Sequence, residues 1–134
     1  MEILNEFWKN RHLHKKIDTD FKVATQMECK FSEKNSRILL SKSVNYIWDA
    51  LEVAIQDYVK LYPHASELNL DWGVYNSFNL QFYNPNEGFK KWHAENLPFL
   101  ERFLVWTIYL SNTPDGGTEF LHQNHIEECE MGKV

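Results

Sequence analysis

His93 and Glu95, in the run Trp92-His93-Ala94-Glu95, are the residues whose types and spacing could do chemistry in this chain. On a strand, side chains two apart project from the same face, so an imidazole and a carboxylate at this spacing can converge on one cation. Joined by a second imidazole from elsewhere, they form the facial triad that leaves open positions on Fe(II) for a chelating co-substrate and O2. Alone, the spacing is weak evidence, because most histidines find a hydrogen-bond partner without a metal. Its weight rests on what surrounds the pair.

Positioning such a pair takes a sheet, and the hydropathy pattern supplies elements for one. Residues 3–14 place Ile3, Leu4, Phe7, Trp8 and Leu13 near helical spacing with Asn10-Arg11 as a polar interruption, which predicts a short, uncapped N-terminal helix. From Phe21 the period becomes two: Phe21, Val23, Thr25, Met27, Cys29 and Phe31 share one face, with Lys22, Gln26, Glu28 and Lys30 largely on the other. That is a half-buried strand. The polar set at 32–36 makes a loop, after which Ser41 or Ser43 can cap a second helix. Its stripe is Val44, Ile47, Trp48, Leu51, Ala54, Ile55, Tyr58 and Tyr62, and Pro63 ends it.

Further on, Phe78, Leu80 and Phe82 alternate with Asn79 and Gln81 as a strand, and Asn84-Pro85-Asn86-Glu87-Gly88 is a turn. Residues 88–94 resume extended chain and carry His93. The aromatic and β-branched run at 103–110 predicts a buried strand, Thr113-Pro114-Asp115-Gly116-Gly117 a hairpin turn, and 118–121 a return to the sheet. The order predicts an α+β chain with a mainly β core, its helices packed against a sandwich or jelly roll.

Tyr83, the Pro/Gly turn, His93-Ala94-Glu95, the run Arg102 to Tyr109-Leu110-Ser111-Asn112, and Asp115-Gly116-Gly117-Thr118-Glu119-Phe120 follow one another in a specific order and spacing. Residues 81–120 closely resemble the prolyl-4-hydroxylase-like 2-oxoglutarate/Fe(II) dioxygenases. The resemblance implies one domain with a double-stranded β-helix (jelly roll) fold. Residues 1–65 would be its helix-rich support with one strand, and 66–134 the first part of the jelly roll. It implies His93 and Glu95 as metal ligands, with Glu95 one methylene longer than the more usual aspartate. It places Tyr83 and Tyr109 beside 2-oxoglutarate, where their hydroxyls can bond its carboxylates; core packing is the competing expectation for both. Gly116-Gly117 matches a tight turn of structural role, and Trp92 and Trp106 are assigned to packing.

The implied cofactors are Fe(II) and 2-oxoglutarate as co-substrate, with ascorbate as a candidate addition. The implied reaction consumes O2 and hydroxylates a C–H bond of a prolyl, other peptidyl or small-molecule substrate, releasing succinate and CO2. Two further parts of such a site, a distal histidine and a basic residue for the far carboxylate, should follow a Gly-Lys-Val-like strand. Gly132-Lys133-Val134 closes this sequence, so the expectation is a chain with two of three ligands, its last strands missing. The competing reading is a degenerate, non-catalytic jelly roll acting in binding or in oligomeric strand completion. His122 and His125 fall too early for the distal ligand and read as surface or loop residues; His12, His14 and His64 read as solvated.

Composition narrows the classes. The chain has 134 residues, enough for one domain, and its 43% hydrophobic and 25% charged fractions are ordinary for a globular protein. Its 14 basic and 19 acidic residues give a net charge of −5, with no basic stripe to neutralise phosphates, so nucleic-acid binding is not expected. Cys29 and Cys129 lack paired spacing and read as reduced thiols. No apolar run of signal-peptide or membrane-spanning length occurs. The expectation is a soluble protein of a reducing, cytoplasmic compartment.

Overall fold

The computed structural model of the chain describes residues 2–30, 41–67, 72–95 and 102–134. The loop expected at 32–36 and Phe31 lie outside the described residues, as do the side chains of Ser41, Ser43 and Val44. The chain divides into two units, Met1–Trp48 with Asn69–Trp92 and Asp49–Leu68 with His93–Val134. Mixed helix and antiparallel sheet make the chain α+β, with no closed barrel among the described residues.

In the first unit α1 (Glu2–Lys9) turns its one buried residue, Phe7, inward. Its ends follow the helix dipole, with Glu2 in the first turn and Lys9 in the last. Asn10 stops it: its backbone and side-chain amides both donate to the Glu6 carbonyl, at 3.2 and 2.8 Å. A short 3₁₀ turn, Arg11–Leu13, leads into β1 (Lys15–Asp18). Periodicity did not predict β1, since Ile17 is its only apolar side chain.

The organising strand is β2 (Lys22–Lys30), which has both edges paired. On one side β1 runs antiparallel to it, from Lys15 opposite Gln26 to Asp18 opposite Val23. On the other side β3 (Ser77–Phe82) pairs antiparallel from Thr25 opposite Phe82 to Lys30 opposite Ser77. Then β4 (Gly88–Phe89) takes the remainder of the same edge, opposite Lys22 and Val23. Met27 and Cys29 are fully enclosed, with Val23, Phe78 and Leu80 also buried. This is the face that alternation predicts. Ala24, on the opposite face, is equally buried, so β2 is covered on both sides at that point. Burial pushes the Cys29 thiol up to about 12, which leaves it inert at neutral pH.

The link between β3 and β4 is a turn at 84–87. The Glu87 amide donates to the Asn84 carbonyl at 2.9 Å, Pro85 occupies the second position and Asn86 the third with φ 66. Proline second and a left-handed third residue make this a type II turn. The Glu87 carboxylate accepts from the Asn84 backbone and side-chain amides at 2.9 and 3.0 Å and pairs with Lys16 of β1. Gly88 follows at φ 150, a conformation that side chains resist.

The long helix α2 (Ser41–Leu61) forms where its stripe predicts it, with Ile47 and Leu51 buried, but Trp48 is 42% exposed and Tyr62 lies beyond the helix, 58% exposed. Pro63 ends it as expected and opens a 3₁₀ turn, Pro63–Ser66. In the second unit β5 (Thr118–Phe120) and β6 (His125–Glu127) form a hairpin of their own, with Thr118 opposite Glu127. The buried strand predicted at 103–110 is not found: the segment joins no sheet, and Phe103, Leu104 and Val105 are 48, 38 and 55% exposed. An apolar run reports burial only where a neighbouring strand exists to bury it. Farther along, Tyr109 exchanges backbone bonds with Gly132 and Lys133 at 2.9 and 3.1 Å, and the Thr113 amide donates to Cys129 at 3.2 Å. No helix among the described residues is long and apolar enough to cross a membrane.

Two outcomes check this frame. Met27→Ala empties the middle of β2, with an expected loss of about 2–5 kcal/mol in urea unfolding; a loss near zero would mean the strand is not the core. The Lys16 side chain, then the Asn84 amide, hold the Glu87 carboxyl at about 2 against its ordinary 4.5. A depressed carboxyl stabilises the fold fully above 4.5, and that contribution is lost as pH falls through about 2. The stability gap between the parent and Glu87→Gln should therefore narrow across this interval, and a gap independent of pH would refute the assignment.

Candidate functional site

His93 and Glu95 do come together, though not on a strand. β4 ends at Phe89, the Lys90 amide makes one more backbone bond to Phe21 at 2.8 Å, and residues 91–95 are irregular. Strand alternation therefore does not aim the pair. Their proximity arises from the loop itself, which sets His93 Nε2 3.3 Å from Glu95 Oε1. The second carboxylate oxygen is occupied separately: Arg102 Nη1 donates to Glu95 Oε2 at 2.6 Å. The result is a chain from imidazole to carboxylate to guanidinium, all within the second unit.

The donor set can be tested against a metal. Two ligands at right angles on an ion with bonds of about 2.1 Å stand about 3 Å apart. The 3.3 Å between Nε2 and Oε1 fits two adjacent positions of that kind, and an imidazole with one carboxylate oxygen suits Fe(II). No group of three His, Cys, Asp or Glu side chains is poised for a metal among the described residues. The fit is that of a two-donor face.

Tyr109 belongs to the same unit, and its hydroxyl lies 2.6 Å from Thr118 Oγ1 at the start of β5. Either hydroxyl can be the donor. With Thr118 donating, the Tyr109 proton is available to a carboxylate. Tyr83 belongs to the first unit, just beyond β3, where its hydroxyl donates to Gln81 Oε1. It is 37% exposed by surface area, yet the protein around it excludes enough water to push the phenol up to about 12. That keeps the Tyr83 phenol protonated at any physiological pH.

Other expectations meet mixed outcomes. Gly117 is structural in a specific way: a Cβ there would lie 2.2 Å from the Glu127 carbonyl oxygen, so the hairpin backbone needs a bare residue. In the preceding turn the left-handed φ falls on Asp115, at 58, rather than on either glycine. Trp92, assigned to packing, is 55% exposed, since the irregular loop offers it no sheet to lie on. His122 is exposed in the turn; His125, also exposed, lies on β6 with Nε2 3.1 Å from Glu127 Oε2. His14 is not simply solvated: its ring stacks on Phe7 at 4.0 Å and its Nε2 donates to the Phe7 carbonyl at 2.8 Å. His64, exposed as expected, meets Glu67 at 2.7 Å. Neither cysteine is in a disulfide.

Sequence reasoning assigned no role to Arg102 or Thr118. Arg102 stands seven positions beyond Glu95, a separation that leaves no periodic trace in the sequence. Searches against family models, curated proteins and solved structures returned no match for this chain.

Gly117→Ala is expected to force β5 away from β6 and lengthen the Tyr109–Thr118 contact. Faster amide exchange confined to the hairpin is the measurement, and unchanged protection would show that the close approach is not needed.

Proposed function

We propose that this chain carries the metal-binding face of a 2-oxoglutarate- and Fe(II)-dependent dioxygenase, with its sheet as part of a jelly roll. The observation that carries the reading is the 3.3 Å approach of His93 Nε2 to Glu95 Oε1, inside the order of residues that resembles the prolyl-4-hydroxylase-like enzymes. When bound, Fe(II) would supply the oxygen chemistry that couples decarboxylation of 2-oxoglutarate to succinate and CO2 with hydroxylation of a C–H bond.

The chain's own residues bind and orient. His93 offers Nε2 and Glu95 offers Oε1 as adjacent ligands, leaving the other metal positions for a third ligand and for the co-substrate. Tyr109 donates its hydroxyl proton to a 2-oxoglutarate carboxylate once Thr118 turns to donate to it. Tyr83 enters this proposal through the resemblance alone, its hydroxyl donating to Gln81 within the first unit. A prolyl, other peptidyl or small-molecule substrate would supply the C–H bond.

A second reading is a non-catalytic binding or oligomerisation module. The absence of a third His, Cys, Asp or Glu beside the pair among the described residues favours it. Anaerobic Fe(II) titration of the 134-residue chain separates the two. Stoichiometric binding in the micromolar range, lost in His93→Ala, is the expected result, and the same chain supplied with Fe(II), 2-oxoglutarate and O2 in a separate aerobic assay should form succinate. A chain that takes up no Fe(II) would overturn the enzyme reading.

A further inference from the structure

Resting on that reading, we propose that Arg102 is a positioning residue: by occupying Glu95 Oε2 it turns Oε1 toward His93 and raises the affinity of the pair for a divalent cation. The need for such a device follows from two features of the loop. Residues 91–95 belong to no strand, so the pleat that would aim both side chains is missing. Glutamate also carries one more rotatable bond than aspartate, and an untethered carboxylate at a half-exposed site samples many directions. One contact addresses both problems. Arg102 Nη1 sits 2.6 Å from Oε2, at the length of a charge-assisted hydrogen bond, while Oε1 lies 3.3 Å from His93 Nε2. The carboxylate is thereby offered as a one-oxygen ligand.

Arg102 could act with the opposite sign, because a guanidinium near a dication repels it and competes for the same carboxylate. Exposure decides which effect is larger. The Arg102 and Glu95 side chains are 49 and 39% exposed, so water and salt screen the repulsion. Orientation is not screened. Groups that orient a metal ligand through its free atom typically change affinity by about 10–100-fold. Competition is limited as well, since Arg102 holds the oxygen that the metal does not need.

The test is anaerobic Fe(II) titration calorimetry on the parent, Arg102→Gln and Arg102→Lys, with urea midpoints as a check on folding. Arg102→Gln should bind Fe(II) about 10–100-fold more weakly than the parent. Arg102→Lys should fall between them, because an ammonium can reach Oε2 as a point charge without the rigid fork of the guanidinium. Equal or tighter binding by Arg102→Gln overturns the proposal. Should that variant not fold, Arg102→Lys decides alone: weaker binding supports positioning, and equal or tighter binding refutes it. A parent that takes no Fe(II) removes the enzyme reading and this inference together. A parent that binds, and loses binding in His93→Ala but not in Arg102→Gln, removes only the inference.

Discussion

Everything in the first unit depends on the burial of β2 between partners on both edges. Strand β2 has partners on both edges, so its register is set twice: by β1 over 23–26 and, on the other edge, by β4 over 22–23 and β3 over 25–30. A slip of one residue would move Met27 and Cys29 out of the core and put Glu28 into it. That penalty also fixes the length of the connection between β3 and β4, since the two short strands share one edge and must both keep register. The type II turn at 84–87 meets the requirement, and Glu87 ties it to the opposite side of the sheet through Lys16. One carboxylate thus links the turn to β1, two strands away in the sheet.

The parts of this fold legible in the sequence are those where one physical cause dominates. β2 and β3 show alternation because one of their faces is buried, and α2 shows a stripe because Ile47 and Leu51 are buried along it. β1 was illegible for the converse reason: three of its four side chains are exposed, and its pairing comes from backbone bonds that carry no side-chain signature. The run at 103–110 misled in the other direction. Its residues have strand-like composition, but composition states a preference for a half-buried pleat and cannot create the neighbouring strand. The positive φ angles follow the same logic. Glycine tolerates them best, yet Asn86 and Asp115 take them because a preceding proline sets the second turn position and the Asx residue falls third.

The candidate site shows a subtler mismatch. The expected geometry and the observed one both bring His93 next to Glu95, but by different means. Strand alternation would have fixed the directions of both side chains through the ladder, leaving little for neighbouring groups to do. A loop fixes only the approximate positions of the Cα atoms. Direction must then come from contacts made by the side chains, and the contact made is with Arg102.

That difference bears on what the site can select. A pair aimed by a ladder is rigid before any ion arrives, so it discriminates by geometry alone. A pair aimed by a half-exposed ion pair keeps some freedom, and an ion bound there would lose part of its binding free energy to ordering it. Selectivity then shifts toward ligand chemistry, where one imidazole and one carboxylate oxygen separate borderline and hard divalent ions only weakly. A two-donor face of this kind gains discrimination chiefly from whatever completes the coordination. A chelating 2-oxo acid would supply two oxygens at a fixed bite, so metal and co-substrate would each strengthen the binding of the other, by the reciprocity that any linked pair of ligands obeys.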